Sequence, residues 1–383
     1  MACKRSADGP SRDPRTLHGG DPAAARLMAA AAAAAGPADE IRATKKIRSN
    51  SVPIIDVAPF FADPGSEEGR NSVCNAIARA CEEVGFFVIT GHQIDDLVIQ
   101  ACAKEARTFF AKTLKEKMEV AAGGRAYGFF PMDSEALGYN ADVSKRPDLR
   151  EAFSIGPQHP LPPPSCLDAP EASEVADFVY QATPWPSDGG MRDAMTRYYD
   201  ALGQLANGLL KIFARILAVD AELFLSKVSH HGSSLRAIHY PRLEVEPLPG
   251  QMRCGEHSDI CTMTILWQDV QGGLEVLPRG HEEWLEVVCP EDGLIVNLGD
   301  LFARWTNDRW LSTPHRVVPP RLDDSVRNVP RISMPYFQIL NSDAVVRCIE
   351  TCLREGEEPK HAPTTQGQHL MSHFKRWGRN RSD

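Results

Sequence analysis

The residues able to do chemistry lie between positions 254 and 337. The stretch opens with CGEHSDICTMTILWQ, in which one residue separates His257 from Asp259. It closes with STPHRVVPP, which holds His315, and PRISMPYF, which holds Arg331 and Ser333. Two imidazoles and a carboxylate make a three-ligand face for a divalent metal, and that mix with open positions suits non-haem Fe(II). In an extended strand, side chains i and i+2 point the same way, so His257 and Asp259 are expected to grip one ion together. His315 has to arrive from elsewhere in the fold, with enough chain between for several strands. Arg331 offers a planar fork for a carboxylate, and Ser333 follows on the same strand face with a hydroxyl. The other histidines of this half, His230, His231, His239 and His281, have no carboxylate or imidazole two residues on in a strand-like run. They are expected at the surface or in ordinary hydrogen bonds.

These side chains need a frame of strands. From Ser234 onward, SLRAIHYP, CTMTILWQ, GGLEVLP, EWLEVV and GLIVNLGD follow at short intervals with Gly, Pro and Asp between them. That rhythm indicates a sandwich or barrel, and with the metal motif a cupin-like jelly roll. In the second of these strands Met263 and Ile265 share one face and Thr262 and Thr264 the other. Upstream, the pattern predicts a strand over 52–58, a helix over 71–84, a buried strand over 86–90 and a helix over 94–110. Residues 112–119 read as a solvated helical face. Residues 123–138 read as a loop whose Tyr127, Phe129 and Phe130 either line a substrate site or pack. Residues 157–170 are Pro-rich linker, and 191–217 a long helix against the sheet. A helix through 354, with Cys348 and Cys352 on one face, and a short one over 369–377 complete the chain.

The chain has 383 residues, 43% of them hydrophobic, ample for a large core. Its net charge of −9 argues against a partner bound through phosphate neutralisation, so no nucleic acid is expected. No apolar run of about 18 residues is present, so no membrane span is expected. Ten cysteines without metal-like spacing suggest reduced thiols in a cytoplasmic protein, taken as a monomer acting on a small molecule. Residues 1–50 are rich in Ala, Arg and Pro; the acids within them speak for a disordered tail over a transit peptide. The organisation expected is a tail (1–50), a helical and strand region (51–225), a jelly-roll core (226–340) and a C-terminal helical segment (341–383).

Several motifs together resemble the iron(II)- and 2-oxoglutarate-dependent dioxygenases of the isopenicillin N synthase-like superfamily. They are HYP at His239, HSD at His257, GGLEV at Gly272, NLGDLFARWTNDRW at Asn297, STPHRVV at Ser312 and RIS at Arg331, with VPIIDVAPF and EEVGFFVITGH upstream. The resemblance implies a double-stranded β-helix with Fe(2+) on His257, Asp259 and His315. It implies 2-oxoglutarate held by Arg331, Ser333 and Tyr240, with dioxygen as the second co-substrate. Its activity would be oxidative decarboxylation of 2-oxoglutarate coupled to hydroxylation or desaturation of a small organic substrate. Asn297 either supports the metal or is structural. Two alternatives are an iron oxidase that works without 2-oxoglutarate, like isopenicillin N synthase, and a non-catalytic jelly-roll binding protein. One departure stands out: many relatives have an aromatic-Gly pair after His-x-Asp, and here it is Ile260-Cys261.

Overall fold

A computed structural model describes residues 51–62, 64–136, 146–158 and 178–379. The expected tail (1–50) and most of the Pro-rich linker lie outside them. The strands run in chain order as β1 Ile54–Asp56, β2 Phe86–Thr90, β3 Gly128–Phe130, β4 Glu151–Ile155, β5 Ser234–Tyr240, β6 Cys254–His257 and β7 Met263–Gln268. They continue as β8 Leu274–Val276, β9 Leu285–Glu286, β10 Leu294–Leu298, β11 His315–Val317, β12 Arg331–Gln338, β13 Val345–Val346 and β14 Thr364–Thr365. The helices are α1 Ala58–Phe61, α2 Glu67–Glu83, α3 Asp96–Phe110, α4 Leu114–Met118, α5 Gly190–Ile216, α6 Glu222–Leu225, α7 Asp300–Trp305 and α8 Gln366–Arg379.

An eight-stranded sheet, β1-β2-β10-β7-β12-β5-β4-β3, faces a four-stranded sheet, β6-β11-β8-β9. This is a jelly roll of two packed sheets, sheet-rich with flanking helices and without a closed barrel. Both faces of the large sheet are buried. Phe86 and Val88 of β2 pack with Leu274, Val276 and Val317 of the small sheet. Their neighbours Phe87 and Ile89 face the helices. Period-2 alternation therefore sorts one strand between two cores, which is why it reads as a continuous apolar run. On the helical side, α5 places Met195, Tyr198, Leu202, Leu209 and Phe213 at three- and four-residue spacing against the sheet.

Several expectations need correction. Helix α2 starts a turn before residue 71, because Ser66 caps it by accepting from the Gly69 amide. Its first turn is charged and exposed, so the apolar period does not mark it. Gly85 ends the helix at φ 74°, and a Cβ there would meet the Leu311 carbonyl oxygen at 2.5 Å. The charged 112–119 segment is not wholly solvated. Lys117 is buried and pairs with Glu151 at 2.7 Å. The helix expected through 354 is absent. Val345 and Val346 pair instead with Thr365 and Thr364, Ile349 donates to the Trp305 carbonyl, and only a 3-10 turn forms at Glu350–Cys352. Tertiary pairing holds this stretch extended, so Cys348 and Cys352 do not share a helix face.

The aromatic loop packs. Phe129 is fully buried against Phe109, and the Tyr127 hydroxyl donates to the Val179 carbonyl. Phe130 lies under the Arg236 guanidinium. The part of the loop past residue 136 lies outside the described residues.

Candidate active site

His257 ends β6 and His315 begins β11, and the two are direct partners across that antiparallel pair. Their rings lie 4.2 Å apart between centroids. Strand β6 stops at His257, so Asp259 does not share its strand as the i, i+2 argument assumed. Asp259 instead sits on the segment crossing from the small sheet to β7. Its Oδ1 lies 3.8 Å from Nε2 of each histidine.

The ring orientations are set by backbone. His257 Nδ1 lies 2.8 Å from the Gly255 carbonyl oxygen, and His315 Nδ1 3.1 Å from that of Thr313. A ring that donates from Nδ1 keeps its lone pair on Nε2, the atom aimed at Asp259. Burial, with the nearby His257, lowers His315 to about 4 against the pull of Asp259. It is therefore neutral, the state in which an imidazole is able to bind a metal.

The second carboxylate oxygen of Asp259 is anchored. Its Oδ2 accepts from Thr264 Oγ1 and, at 2.7 Å, from Asn297 Nδ2. Thr264 and Asn297 face each other across β7 and β10. Burial would push this carboxyl up; the two imidazoles and these two donors outweigh it and hold it below its ordinary value. Asn297 thus supports the carboxylate directly. The backbone is pinned too. The Asp300 amide donates to the Asp259 carbonyl at 2.8 Å. Gly299 approaches so closely that a Cβ would meet the Cys261 carbonyl oxygen at 2.1 Å.

Arg331 begins β12 opposite Tyr240 of β5. It is 1% exposed, with its guanidinium carbon 4.7 Å above the Tyr240 ring. Nη2 donates to Gln268 Oε1 at 2.6 Å, while Nε and Nη1 are buried with no hydrogen-bond partner. Ser333 is buried beside it. One pocket is lined by His257, Asp259, His315, Tyr240, Arg331 and Ser333 together. A buried cation with two unmatched donors needs an anion, and a second carboxylate on a chelating ligand fits that need.

Two family profiles match the chain. "Non-haem dioxygenase in morphine synthesis N-terminal" covers residues 52–188 and "2OG-Fe(II) oxygenase superfamily" covers residues 232–339. A 2-oxoglutarate-Fe(II) type oxidoreductase, hxnY of Emericella nidulans, is 31% identical over 82% of this chain and 86% of its own length. The chain belongs to the 2OG-Fe(II) oxygenase superfamily. The proline hydroxylase buaE of Petromyces alliaceus is 31% identical, across 80% of this oxygenase and 93% of the relative. A full-length Neurospora crassa protein, solved in complex with alpha-KG, superposes with a TM-score of 0.72 at 27% identity, covering 85% of this oxygenase and 96% of the Neurospora chain. The protein is an Fe(II)- and 2-oxoglutarate-dependent oxidoreductase, and relatives of it bind small molecules, thymine in one complex of the Neurospora protein.

Sequence reading missed four residues in or beside this oxygenase's pocket: Thr264 and Arg150, which line it, and Gln268 and Arg253, which stand next to Arg331 and Tyr240. Thr264 had a local signal, its place on the polar face of β7. Gln268 had none, since its contact with Arg331 is cross-strand. Arg150 lines the pocket and is paired with Asp148 at 3.3 Å. Arg253 lies 5.8 Å from the Tyr240 ring, and burial together with the Arg331 charge lowers it to about 10. Two guanidiniums thus flank one tyrosine, a positive field suited to a dianion. Cys261, at the departure from the usual aromatic-Gly pair, is 1% exposed, with its thiol 3.4 Å from Thr264 Oγ1. Burial raises that thiol well above its ordinary range, so it packs as a small residue. Among the competing histidines, His239 is a hydrogen-bonding residue, 2.9 Å from Glu151.

Proposed function

We propose that His257, Asp259 and His315 hold the iron of this oxygenase and that Arg331 and Ser333 hold the far carboxylate of 2-oxoglutarate. The supporting observation is the pairing, in one pocket, of three convergent donors with a buried guanidinium whose Nε and Nη1 are unmatched. Iron and 2-oxoglutarate, when bound, supply the oxidising equivalents from dioxygen. The chain's own residues do the rest. His257 and His315 present Nε2 lone pairs because their Nδ1 atoms face carbonyls. Asp259 presents Oδ1 because Thr264 and Asn297 occupy Oδ2. Tyr240 places its ring 4.7 Å from the guanidinium carbon and favours the cation there. Phe86, Ile238, Leu266, Leu274 and Val317 wall the pocket and exclude water.

The substrate is a small organic molecule that is hydroxylated or desaturated; the Neurospora protein's complex with alpha-KG and thymine, 27% identical at TM-score 0.71, supports that size class. In this reading it is a cytoplasmic monomer with no nucleic-acid or membrane partner; the net charge of −9 speaks against a polyanionic partner, and the free, mostly buried cysteines among the described residues fit a reducing compartment. No helix of the described residues is long and apolar enough to cross a membrane. In this reading the division at 51–225, 226–340 and 341–383 separates scaffold, iron core and C-terminal cover. Anaerobic Fe(II) followed by 2-oxoglutarate should give a weak visible charge-transfer band, and air should then release succinate. A protein that shows neither, or an Asp259→Ala variant that keeps both, overturns the assignment.

A further inference from the structure

A second set of side chains of the metal-ligating types lies outside the pocket just described. Asp300, His369 and His373 bring one carboxylate oxygen and two imidazole nitrogens within 4.8 Å of one another. His369 and His373 are one turn apart on α8, so both rings leave the same helix face, 4.8 Å between centroids. Asp300 comes from the far side, at the start of α7. Its Oδ1 accepts from Ser312 Oγ at 2.6 Å, and its Oδ2 lies 4.0 Å from His373 Nε2. A cavity of about 320 Å³ opens onto the three, with Arg304, Asp308 and His361 in its wall. Arg304 is turned to the Ala362 carbonyl, and Asp308 to His361 and Lys360.

We propose that Asp300, His369 and His373 form a site for a divalent transition metal, zinc being the fitting ion, and that this site pins the C-terminal helix to the sandwich. Two imidazoles and a carboxylate, with room for water as fourth ligand, match zinc chemistry. Donors about 2.1 Å from a tetrahedral ion sit about 3.4 Å apart, so the side chains close by roughly an ångström, a rotamer adjustment. The first site stands at a similar separation, 3.8 Å from each imidazole to Asp259. The two sites share no residue. Their link is the Asp300 amide, which donates to the Asp259 carbonyl. Because the ligands come from separate elements, binding at the second site is also docking energy for α8.

The inference is independent of the assignment of iron ligands and is tested on the full chain. Zinc per chain is measured after metal removal, reloading and dialysis. Unsubstituted protein should take two ions; His369→Ala/His373→Ala should take one, and His257→Ala/Asp259→Ala should also take one. The same zinc content in the unsubstituted chain and in His369→Ala/His373→Ala overturns the proposal. Hydrogen exchange guards against a misfolded variant. In the His257→Ala/Asp259→Ala chain, zinc should slow amide exchange in Gln366–Arg379 at least tenfold. Exchange in that helix unaltered by zinc overturns it as well.

Discussion

Arg331 lies over the ring of Tyr240, 4.7 Å from its centroid, with one nitrogen on Gln268 and two buried nitrogens unmatched. The ring favours the cation at this place; the unmatched nitrogens set what it can bind, a hydrogen-bond acceptor. Arg331→Lys keeps the charge and loses the fork. Affinity for 2-oxoglutarate should fall about 10- to 100-fold, the worth of one charge-assisted hydrogen bond. Titrating the charge-transfer band measures it, with iron affinity expected unchanged.

Asp259 owes its orientation to two donors on neighbouring strands. Asn297→Ala or Thr264→Val frees Oδ2 and lets the carboxylate rotate away from the imidazoles. Iron affinity should drop roughly 10- to 100-fold in either variant. Competition with a chromophoric chelator under anaerobic conditions reads the change.

Gly299 leaves no room for a side chain, because the Cys261 carbonyl oxygen stands 2.1 Å from where a Cβ would sit. The obstructing atom is backbone and cannot swing aside. Gly299→Ala should cost about 1–3 kcal/mol or more of stability and weaken iron binding through the displaced Asp259 segment. Urea unfolding measures the first effect and chelator competition the second.

Lys117, Glu151 and the partly buried His239 form a cluster, with Glu151 facing His239 across β4 and β5. Lys117 is 2.7 Å and His239 2.9 Å from Glu151. Burial would raise the Glu151 carboxyl; hydrogen bonds from His239 and Lys117 outweigh it and lower it below its ordinary 4.5. A depressed carboxyl adds stability that is present above its unfolded value and lost as pH falls through its folded one. Glu151→Gln should therefore cost about 3 kcal/mol near neutrality, leaving Lys117 buried unpaired. The gap from the unsubstituted protein should shrink below pH 4.5. Denaturant unfolding across the acid range checks both sign and window.

Residue type and local period determined much of this protein. Imidazole, carboxylate and guanidinium named the chemistry before any contact was known, because few other side chains bind iron or a dicarboxylate. The alternation in 263–268 and the three- and four-residue spacing in 191–217 specified strand and helix, because both patterns reflect which face is buried. The tertiary structure decided the pairings. His257 faces His315 only because β6 and β11 are in register. Asp259 meets Thr264 and Asn297 only because the chain crosses between sheets at that point. Lys117 is buried, although its neighbours in sequence are solvated, because Glu151 arrives from a distant strand to neutralise it. Val345 and Val346 are extended because Thr364 and Thr365 supply their hydrogen bonds. Each of these outcomes depends on a partner remote along the chain, and local propensity is blind to such partners: it weighs neighbours a few residues away, whereas burial and ion pairing are settled by whatever the fold brings alongside.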